Sequence, residues 1–170
     1  MNINNVFEVL YFQVTEHLDT LESVQSLGAL LDDMDDTAGA KALYEHALKG
    51  REKALGPQDT QTLNTVYSLG LLLKRSGDTA GAQSMYERAL SGREKALGAD
   101  HPLTLLTVNN LGNLLRGTGD LEGAKRYFQR AHTGFCKALG PGHSYAKAAA
   151  NALAGVSTSE AASGTAAKTE

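Results

Sequence analysis

Histidine and aspartate recur in this sequence at a spacing that prompts a search for a metal site. They follow one another at intervals of 42 residues, at His17, Asp59, His101 and His143. A metal ion needs three or four such ligands converging on one point. Residues separated by a whole period of a repeating chain lie far apart, so the pattern instead predicts residues that cap helices or stand in loops. The other two histidines, His46 and His132, are predicted to lie on the surface.

A nucleophilic centre is equally hard to assemble from this sequence. Cys136 would need a nearby base to act as a catalytic thiol, and no Cys-His-Asn pattern accompanies it. Gly117-Thr118-Gly119 resembles a phosphate loop, but dinucleotide loops follow a strand, whereas this segment links two helical patterns. The aspartates between Asp32 and Asp36 lack the spacing and turn glycine of a calcium loop, and predict a solvated acidic corner. We therefore predict no catalytic residue, no metal ligand and no cofactor.

The overall composition narrows the classes of protein further. The chain has 170 residues, a net charge of −3 and one cysteine. Without a basic excess to neutralise phosphates, nucleic acid is not expected as a partner. No apolar run approaches the roughly 20 residues that span a bilayer. The apolar stretch from Val6 to Val14 lacks the basic residues and the cleavage site of a signal peptide. These features predict a cytoplasmic protein with no membrane partner.

A repeat of 42 residues determines the elements that position all of these side chains. Segment 20–56 matches segment 62–98 at 24 of 37 positions, and 62–98 matches 104–140 at 19 of 37. Fourteen of the 18 glycines also fall on this lattice, so they indicate packing positions and not flexible sequence. A fixed period in this range is typical of a solenoid.

Each repeat predicts two helices joined by a tight corner. In the second repeat, apolar residues at helical spacing define helix A from Leu63 to Leu73 and helix B from Ala82 to Leu90. Gly77 predicts a left-handed end to helix A, and Asp78 predicts a cap for helix B. The first repeat has Asp35 in place of that glycine, so we expect a differently shaped corner there.

Two further features belong to helix B. Glycines recur inside it, at Gly50, Gly92 and Gly134. A glycine in a helix costs about 1 kcal/mol relative to alanine, so its recurrence predicts close packing or a bend. The Arg-Glu-Lys runs that begin at Arg51 and Arg93 predict solvated helix faces, since mixed charges favour solubility.

The pattern resembles the tetratricopeptide repeat. That family has a Leu-Gly pair in helix A and a Gly-Ala pair, an aromatic residue and an alanine in helix B, here Leu69-Gly70, Gly81-Ala82, Tyr86 and Ala89. The usual repeat has about 34 residues. The longer period, and the segment from Gly92 to Leu105, resemble the kinesin-light-chain type. The resemblance covers about residues 18–155 and implies an all-α fold, a right-handed α-solenoid of three hairpins plus a sealing helix.

The period also predicts the division of the chain. We expect an apolar segment at 1–16, repeats at 17–58, 59–100 and 101–142, a capping helix at 143–156 and a disordered tail at 157–170. The tail is predicted from its Ser, Thr, Ala and Gly content. Residues 1–16 do not match the repeat. Val6, Val9, Leu10 and Phe12 either form a helix in place of a missing helix B or belong to a truncated end.

The resemblance also implies where a ligand binds, because the A helices of this family form the concave face. The matching positions predict these peptide-binding residues: Gln25, Asn64, Tyr67, Lys74, Asn109, Asn113, Arg116 and Asn151. They vary between repeats, whereas the packing positions do not. Asparagine pairs with a peptide backbone, and Lys and Arg suit carboxylates, although the first repeat contributes Asp32. We expect an extended, partly acidic peptide lying over repeats two to four.

The leading hypothesis is therefore a non-enzymatic scaffold for protein–protein interaction. One alternative is a self-association module, because solenoid ends need polar caps and residues 1–16 are a poor one. Another is a regulatory fragment of a larger signalling or motor-adaptor protein. An enzyme is not favoured, since no nucleophile, base and orienting group depart from the repeat at one place. We expect a monomer or weak self-association.

Overall fold

The computed structural model describes residues 17–166, with side chains described as far as residue 157. Its described elements are all helices: α1 (Leu18–Asp33), α2 (Thr37–Leu55), α3 (Thr60–Arg75), α4 (Thr79–Leu97), α5 (Pro102–Thr118), α6 (Leu121–Leu139) and α7 (Ser144–Ala166). The odd-numbered helices are the predicted A helices and the even-numbered ones are the B helices. The all-α repeat fold predicted from the sequence is confirmed.

The chain divides into two compact units between Arg88 and Ala89, within α4. In the first unit, α1 packs against α2 and α2 packs against α3. In the second unit, α5 packs against α6 and α6 against α7. Each unit therefore buries the apolar stripes of its A and B helices against their neighbours, as the 3.6-residue periodicity requires.

The A helices begin at the register shared by histidine and aspartate. The side chains of Asp59, His101 and His143 each accept a hydrogen bond from the backbone N–H two residues on, at 2.8, 3.2 and 3.2 Å. His17 holds the same position without a side-chain bond to the helix. The prediction that these residues cap helices is confirmed at the three bonded positions, and Pro102 is the first residue of α5, where proline is favoured.

The corner between helices A and B has the same backbone in every repeat, so the prediction of a different first corner is wrong. Asp35 has φ +62°, close to the +85° of Gly77 and the +88° of Gly119. The N–H of Asp35 donates to the carbonyl of Asp32 at 3.1 Å, and that of Gly77 makes the equivalent bond at 3.2 Å. The reason is that aspartate visits the left-handed region more readily than most L-residues.

An aspartate caps each B helix and explains the glycine three residues later. The carboxylates accept from the glycine N–H at 2.9, 2.9 and 2.8 Å, in the pairs Asp36–Gly39, Asp78–Gly81 and Asp120–Gly123. A Cβ placed on these glycines would lie 2.2 to 2.5 Å from a carboxylate oxygen. A side chain at the glycine of each Gly-Ala pair would therefore have to displace the capping carboxylate.

Close packing explains the other recurrent glycines inside the helices. A Cβ on Gly70 would lie 2.8 Å from the ring of Tyr86, and one on Gly134 would lie 2.4 Å from the side chain of Leu105. Both distances are far below van der Waals contact. The predicted close packing at the helix-B glycine is confirmed at Gly134, and also at Gly50, where the contact is with Leu21 at 2.6 Å.

Helix α7 is longer than the sequence predicted. It runs from Ser144 to Ala166, ten residues past the end predicted at residue 156, and so extends into the segment predicted as a disordered tail. Val156 is buried in a cluster with Phe128, and the Ser157 hydroxyl bonds back to the carbonyl of Leu153 at 3.1 Å. Alanine favours the helix, and back-bonded hydroxyls are compatible with it. The predicted segment 1–16 lies outside the described residues.

Candidate functional site

The eight predicted contact residues all lie on odd-numbered helices. The first unit carries Gln25 on α1 and Asn64, Tyr67 and Lys74 on α3; the second carries Asn109, Asn113 and Arg116 on α5 and Asn151 on α7. Lys74, Arg116 and Asn151 are exposed, and the other five are half-buried. The structure brings two pairs of them together, Gln25 with Asn64 and Asn113 with Arg116.

A buried arginine of helix B organises the first pair. Arg51 on α2 is only 4% exposed. Its Nη1 donates to Oε1 of Gln25 on α1 and, at 2.7 Å, to Oγ1 of Thr65 on α3. The Thr65 hydroxyl donates in turn to the same Gln25 oxygen at 2.8 Å. One guanidinium group therefore ties three successive helices together, and it holds Gln25 in a fixed orientation.

The cleft beside Arg51 is polar. It has a volume of about 350 Å³ and is lined by Glu22, Gln25, Ser26, Arg51, Gln61 and Asn64. Burial lowers the pKa of the Arg51 guanidinium, while Glu22 and Asp59 oppose that shift. The Nε of Arg51 is buried without a hydrogen-bond partner among the described residues. Amide and hydroxyl groups at such a cleft can pair with the polar groups of a peptide.

The same register in the next repeat holds a second buried arginine. Arg93 is 2% exposed, and its Nη1 donates to the carbonyl of Leu103 at 3.0 Å and to Oγ1 of Thr107 at 2.8 Å. The prediction that the Arg-Glu-Lys runs are solvated faces is therefore wrong for both arginines, because each is buried and donates through Nη1 to acceptors on the following A helix. Both glutamates of these runs are ion-paired, Glu52 with Arg88 and Glu94 with Arg130.

An aromatic residue takes the place of Gln25 in the second repeat. Tyr67 lies with its ring centroid 5.8 Å from that of Tyr86, at an interplanar angle of 45°. Burial, and to a smaller extent the neighbouring Tyr67, raise the pKa of Tyr86, whose hydroxyl has no hydrogen-bond partner in the described part of the chain. The predicted binding face therefore presents an amide at one repeat and an aromatic ring at the next.

In the second unit, the candidate residues form a compact polar group on α5. Arg116 donates to Oδ1 of Asn113 at 3.0 Å, and its guanidinium carbon lies 5.7 Å from the ring centroid of Phe128, within the range of a cation–π contact. Oδ1 of Asn109 is buried and has no partner within residues 17–157. The face therefore presents an oriented cation beside a half-buried amide.

Asp32, which the first repeat contributes at the register of Lys74 and Arg116, has a cationic partner. Arg75 of α3 donates to both the carboxylate and the backbone carbonyl of Asp32, so this carboxylate is already neutralised by an ion pair within the first unit. The aspartate at this register of the first repeat therefore stabilises the contact between α1 and α3. It does not present an unpaired negative charge to a ligand.

The sequence missed one cleft entirely. In the second unit, a cleft of about 530 Å³ is lined by Asp100, Gln129, Arg130, Thr133, Gly134 and Lys137. Lys137 donates to Asp100 at 2.5 Å, and this hydrogen bond raises the pKa of Lys137. Arg130 is likewise paired with Glu94. Because both cations already have carboxylate partners, this cleft suits an anion less well than the α5 face does.

Among their described neighbours, the two histidines inside the B helices show no arrangement that indicates catalysis or metal binding. His132 is half-buried, with Nδ1 3.1 Å from the carbonyl of Ala146 and 3.7 Å from the sulfur of Cys136, so its predicted surface position is wrong. His46 is exposed as predicted. Within the described residues, no three metal-ligating side chains gather at one point, and no helix there has the length and apolar character to cross a membrane.

Comparisons with known proteins agree with the geometry of the repeat. A family model for the tetratricopeptide repeat matches residues 16–95 and 61–137. A search of curated proteins gives no match. The solved structure of BtubC (BKLC) from P. vanneervenii aligns with a TM-score of 0.78 at 19% identity, covering 85% of this chain and 58% of that one. The chain thus spans 58% of the length of BtubC.

Two further structures come from a Podosopora anserina putative kinesin light chain with nearly identical TPR-like repeats. They align with TM-scores of 0.75 and 0.73, both at 20% identity. Both alignments cover 91% of this chain; they cover 74% of the first of those chains and 75% of the second. At these identities the likeness shows a shared fold.

Proposed function

We propose that this chain, which belongs to the tetratricopeptide repeat family, is a non-enzymatic scaffold that binds an extended, partly acidic peptide on its A-helix faces. Tetratricopeptide repeats suggest protein–protein interaction. The proposal adds the class of ligand and the residues that bind it. It includes a cytoplasmic setting, for which a chain with a single unpaired cysteine is suited, and a role as a monomer or weak oligomer.

The observation that carries the proposal is an exposed cation at the same register of an A helix in each of the two units. Lys74 and Arg116 are 42 residues apart and exposed. Neither forms an ion pair in the described part of the chain, whereas Arg75, the direct neighbour of Lys74, is paired with Asp32. A carboxylate on a bound peptide would supply each cation with an ion-pair partner and charge-assisted hydrogen bonds.

Amide side chains on the same helix faces are proposed to bind the backbone of the peptide. Gln25 is held by Arg51 and Thr65 through its side-chain oxygen, which leaves its amide N–H groups as donors beside the cleft that Asn64 also lines. Asn109 is half-buried on α5. Amide groups both donate and accept, so they pair with the backbone of an extended peptide whatever its sequence. The cations then favour acidic side chains among such peptides.

A titration with a defined probe tests this proposal. The probe is a fluorescent peptide of about twelve residues, long enough to extend roughly 40 Å, built from Ser, Gly and Asn with four glutamates; its control has glutamine at those positions. We expect the Lys74→Glu, Arg116→Glu double variant to bind the acidic probe at least about tenfold more weakly than the unaltered chain, a loss of about 1.4 kcal/mol or more.

The matched control reverses two exposed lysines of the B helices. Lys49→Glu, Lys95→Glu changes the net charge by the same amount, at residues that lie on α2 and α4. Its affinity for the acidic probe should stay within about threefold of the unaltered chain, since neither lysine lies on an A helix and salt screens charges at a distance. Equal losses in the two double variants would show that only net charge matters, and would contradict the proposal.

A further inference from the structure

Helix α1 carries an exposed apolar stripe. Leu27 is 49% exposed and Leu30 is 58% exposed, and Met34 extends the stripe by another turn. Their spacing of three and four residues places them on one face of the helix. Single exposed leucines are ordinary, but a contiguous apolar row on one helix marks an interaction surface.

The same registers are buried in the later repeats. Leu69 and Leu72 lie 42 residues after Leu27 and Leu30, and they are 5% and 0% exposed. The corresponding leucines of the third repeat are also buried. The stripe on α1 is therefore not a local irregularity. It is a packing face of the repeat that keeps its apolar residues and is exposed among residues 17–157.

The structure identifies the kind of element that covers this face on α3. Helix α2 packs against α3, and Thr65, which lies on the same face one turn before Leu69, accepts a hydrogen bond from Arg51 of α2. An amphipathic helix of the α2 kind is thus the covering element at the equivalent position within the first unit. Helix α2 buries small residues among its apolar ones, as in Ala40 and Ala47, both fully buried.

The charge along the stripe selects among possible occupants. At 100° per residue, the exposed Asp19, Glu22 and Asp33 follow one border of the stripe, and α1 contains no lysine or arginine. The α1 helix of a second copy would bring the same acidic border and repel it. Residues 1–16 also lack lysine and arginine and contain two glutamates. A helix with basic residues beside its apolar side is complementary.

We propose that the α1 stripe is a docking surface for an amphipathic helix of another protein, one with an alanine- and leucine-rich side bordered by lysine or arginine. Helix α2 itself has this chemistry, with four basic residues (Lys41, Lys49, Arg51 and Lys53) against two acidic ones. This surface differs from the peptide-binding faces proposed above because its contacts are the apolar registers of α1, and it shares with them only Glu22, which also lines the cleft beside Arg51.

A synthetic peptide with the sequence of residues 37–55 is the natural probe, used against the full chain. A peptide of this length is only marginally helical alone, so binding should be saturable and should increase helical circular dichroism beyond the sum of the parts. We expect the double variant Leu27→Glu, Leu30→Glu to weaken binding at least about tenfold. A peptide with Lys41→Glu and Lys49→Glu should also bind more weakly than the unaltered peptide.

Matched controls separate this surface from the rest of the molecule. Leu71→Glu alters an exposed leucine outside the stripe, and Lys74→Glu, Arg116→Glu alters the proposed peptide-binding face. Both should bind the helical probe within about threefold of the unaltered chain. Because these variants act on the two proposals separately, the failure of one leaves the other standing.

Three results would overturn the proposal. The first is no binding of the probe, or binding unaffected by Leu27→Glu, Leu30→Glu. The second is a dimer by light scattering that this double variant dissociates, which would make a second copy the occupant. The third is probe binding that appears only after Val6→Asp, Val9→Asp, which would make the chain's own N-terminal segment the occupant.

Discussion

In each unit a B helix packs against the A helix that follows it: α2 against α3 in the first unit, and α6 against α7 in the second. The two contacts use different side-chain chemistry at the same register. The register that holds Arg51 on α2 holds Phe135 on α6. Arg51 is buried through hydrogen bonds to Gln25 and Thr65, whereas Phe135 is buried against the ring of Tyr145, with centroids 5.4 Å apart.

Where phenylalanine replaces arginine at this register, the threonine that accepts the arginine's hydrogen bond is replaced as well. Thr65 and Thr107 accept from the two arginines, and the residue one further period on is Ala149. The hydroxyl is lost together with the cation that used it. A buried cation is tolerated only where acceptors satisfy it, so the pair changes as a unit. The polar junction borders a cleft lined by amides, and the aromatic junction provides apolar packing instead.

The largest expected effect comes from the aromatic junction. Phe135→Ala should lower the free energy of unfolding by about 3–4 kcal/mol, because it removes a fully buried ring and leaves a cavity. Urea unfolding followed by circular dichroism measures this loss. Leu139→Ala, at an exposed position on the same helix, is the control and should cost less than about 1 kcal/mol. A loss below about 1 kcal/mol for Phe135→Ala would contradict the packing described.

The polar junction should be weaker but still substantial. Arg51→Ala removes the donor shared by Gln25 and Thr65 and should cost about 2–3 kcal/mol, since buried partners are left unsatisfied. Arg88→Ala is the control: Arg88 forms a partly exposed ion pair with Glu52, and its loss should cost about 1 kcal/mol or less. If the two variants unfold at the same urea concentration, Arg51 does not hold the three helices together.

The smallest expected change in stability comes from the corners between helices A and B. Asp35 and Gly77 share a left-handed backbone, yet only glycine adopts it without strain. Asp35→Gly should therefore raise the thermal midpoint by an amount equivalent to about 0.5 kcal/mol, and Gly77→Ala should lower it by about 1 kcal/mol. Asp35→Ala serves as the reference that also removes the carboxylate. A decrease with Asp35→Gly would mean that the aspartate side chain stabilises the first corner.

The helices could be predicted from the sequence because each feature of the repeat occurs in three copies. The caps at Asp59, His101 and His143, the start of α5 at Pro102 and the helix-B glycines all follow from register and local chemistry. These depend on contacts within a few residues of the chain or on packing that is the same in every repeat. The family resemblance and the fold rest on that redundancy.

The candidate site was predicted less completely, because its contacts join residues that the sequence separates. Arg51 stands in a charged run, and nothing local distinguishes a buried arginine from a solvated one. The signal that would have found it is that two registers change residue type together. Arginine occurs with threonine in the first two cases, and Phe135 occurs with Ala149 in the third. The first corner was predicted wrongly because missing glycine was taken as a changed backbone, whereas Asp35 adopts the glycine conformation.

The central claim is that a peptide binds on the odd-numbered helices, and backbone amide chemical shifts measured during titration with the acidic probe test it most directly. We predict saturable shifts concentrated on α3 and α5 around Lys74 and Arg116, with smaller shifts near Gln25 and Asn64, and no comparable change on the outer residues of α2 and α6. Shifts confined to the even-numbered helices, or no shift at millimolar probe, would contradict the account.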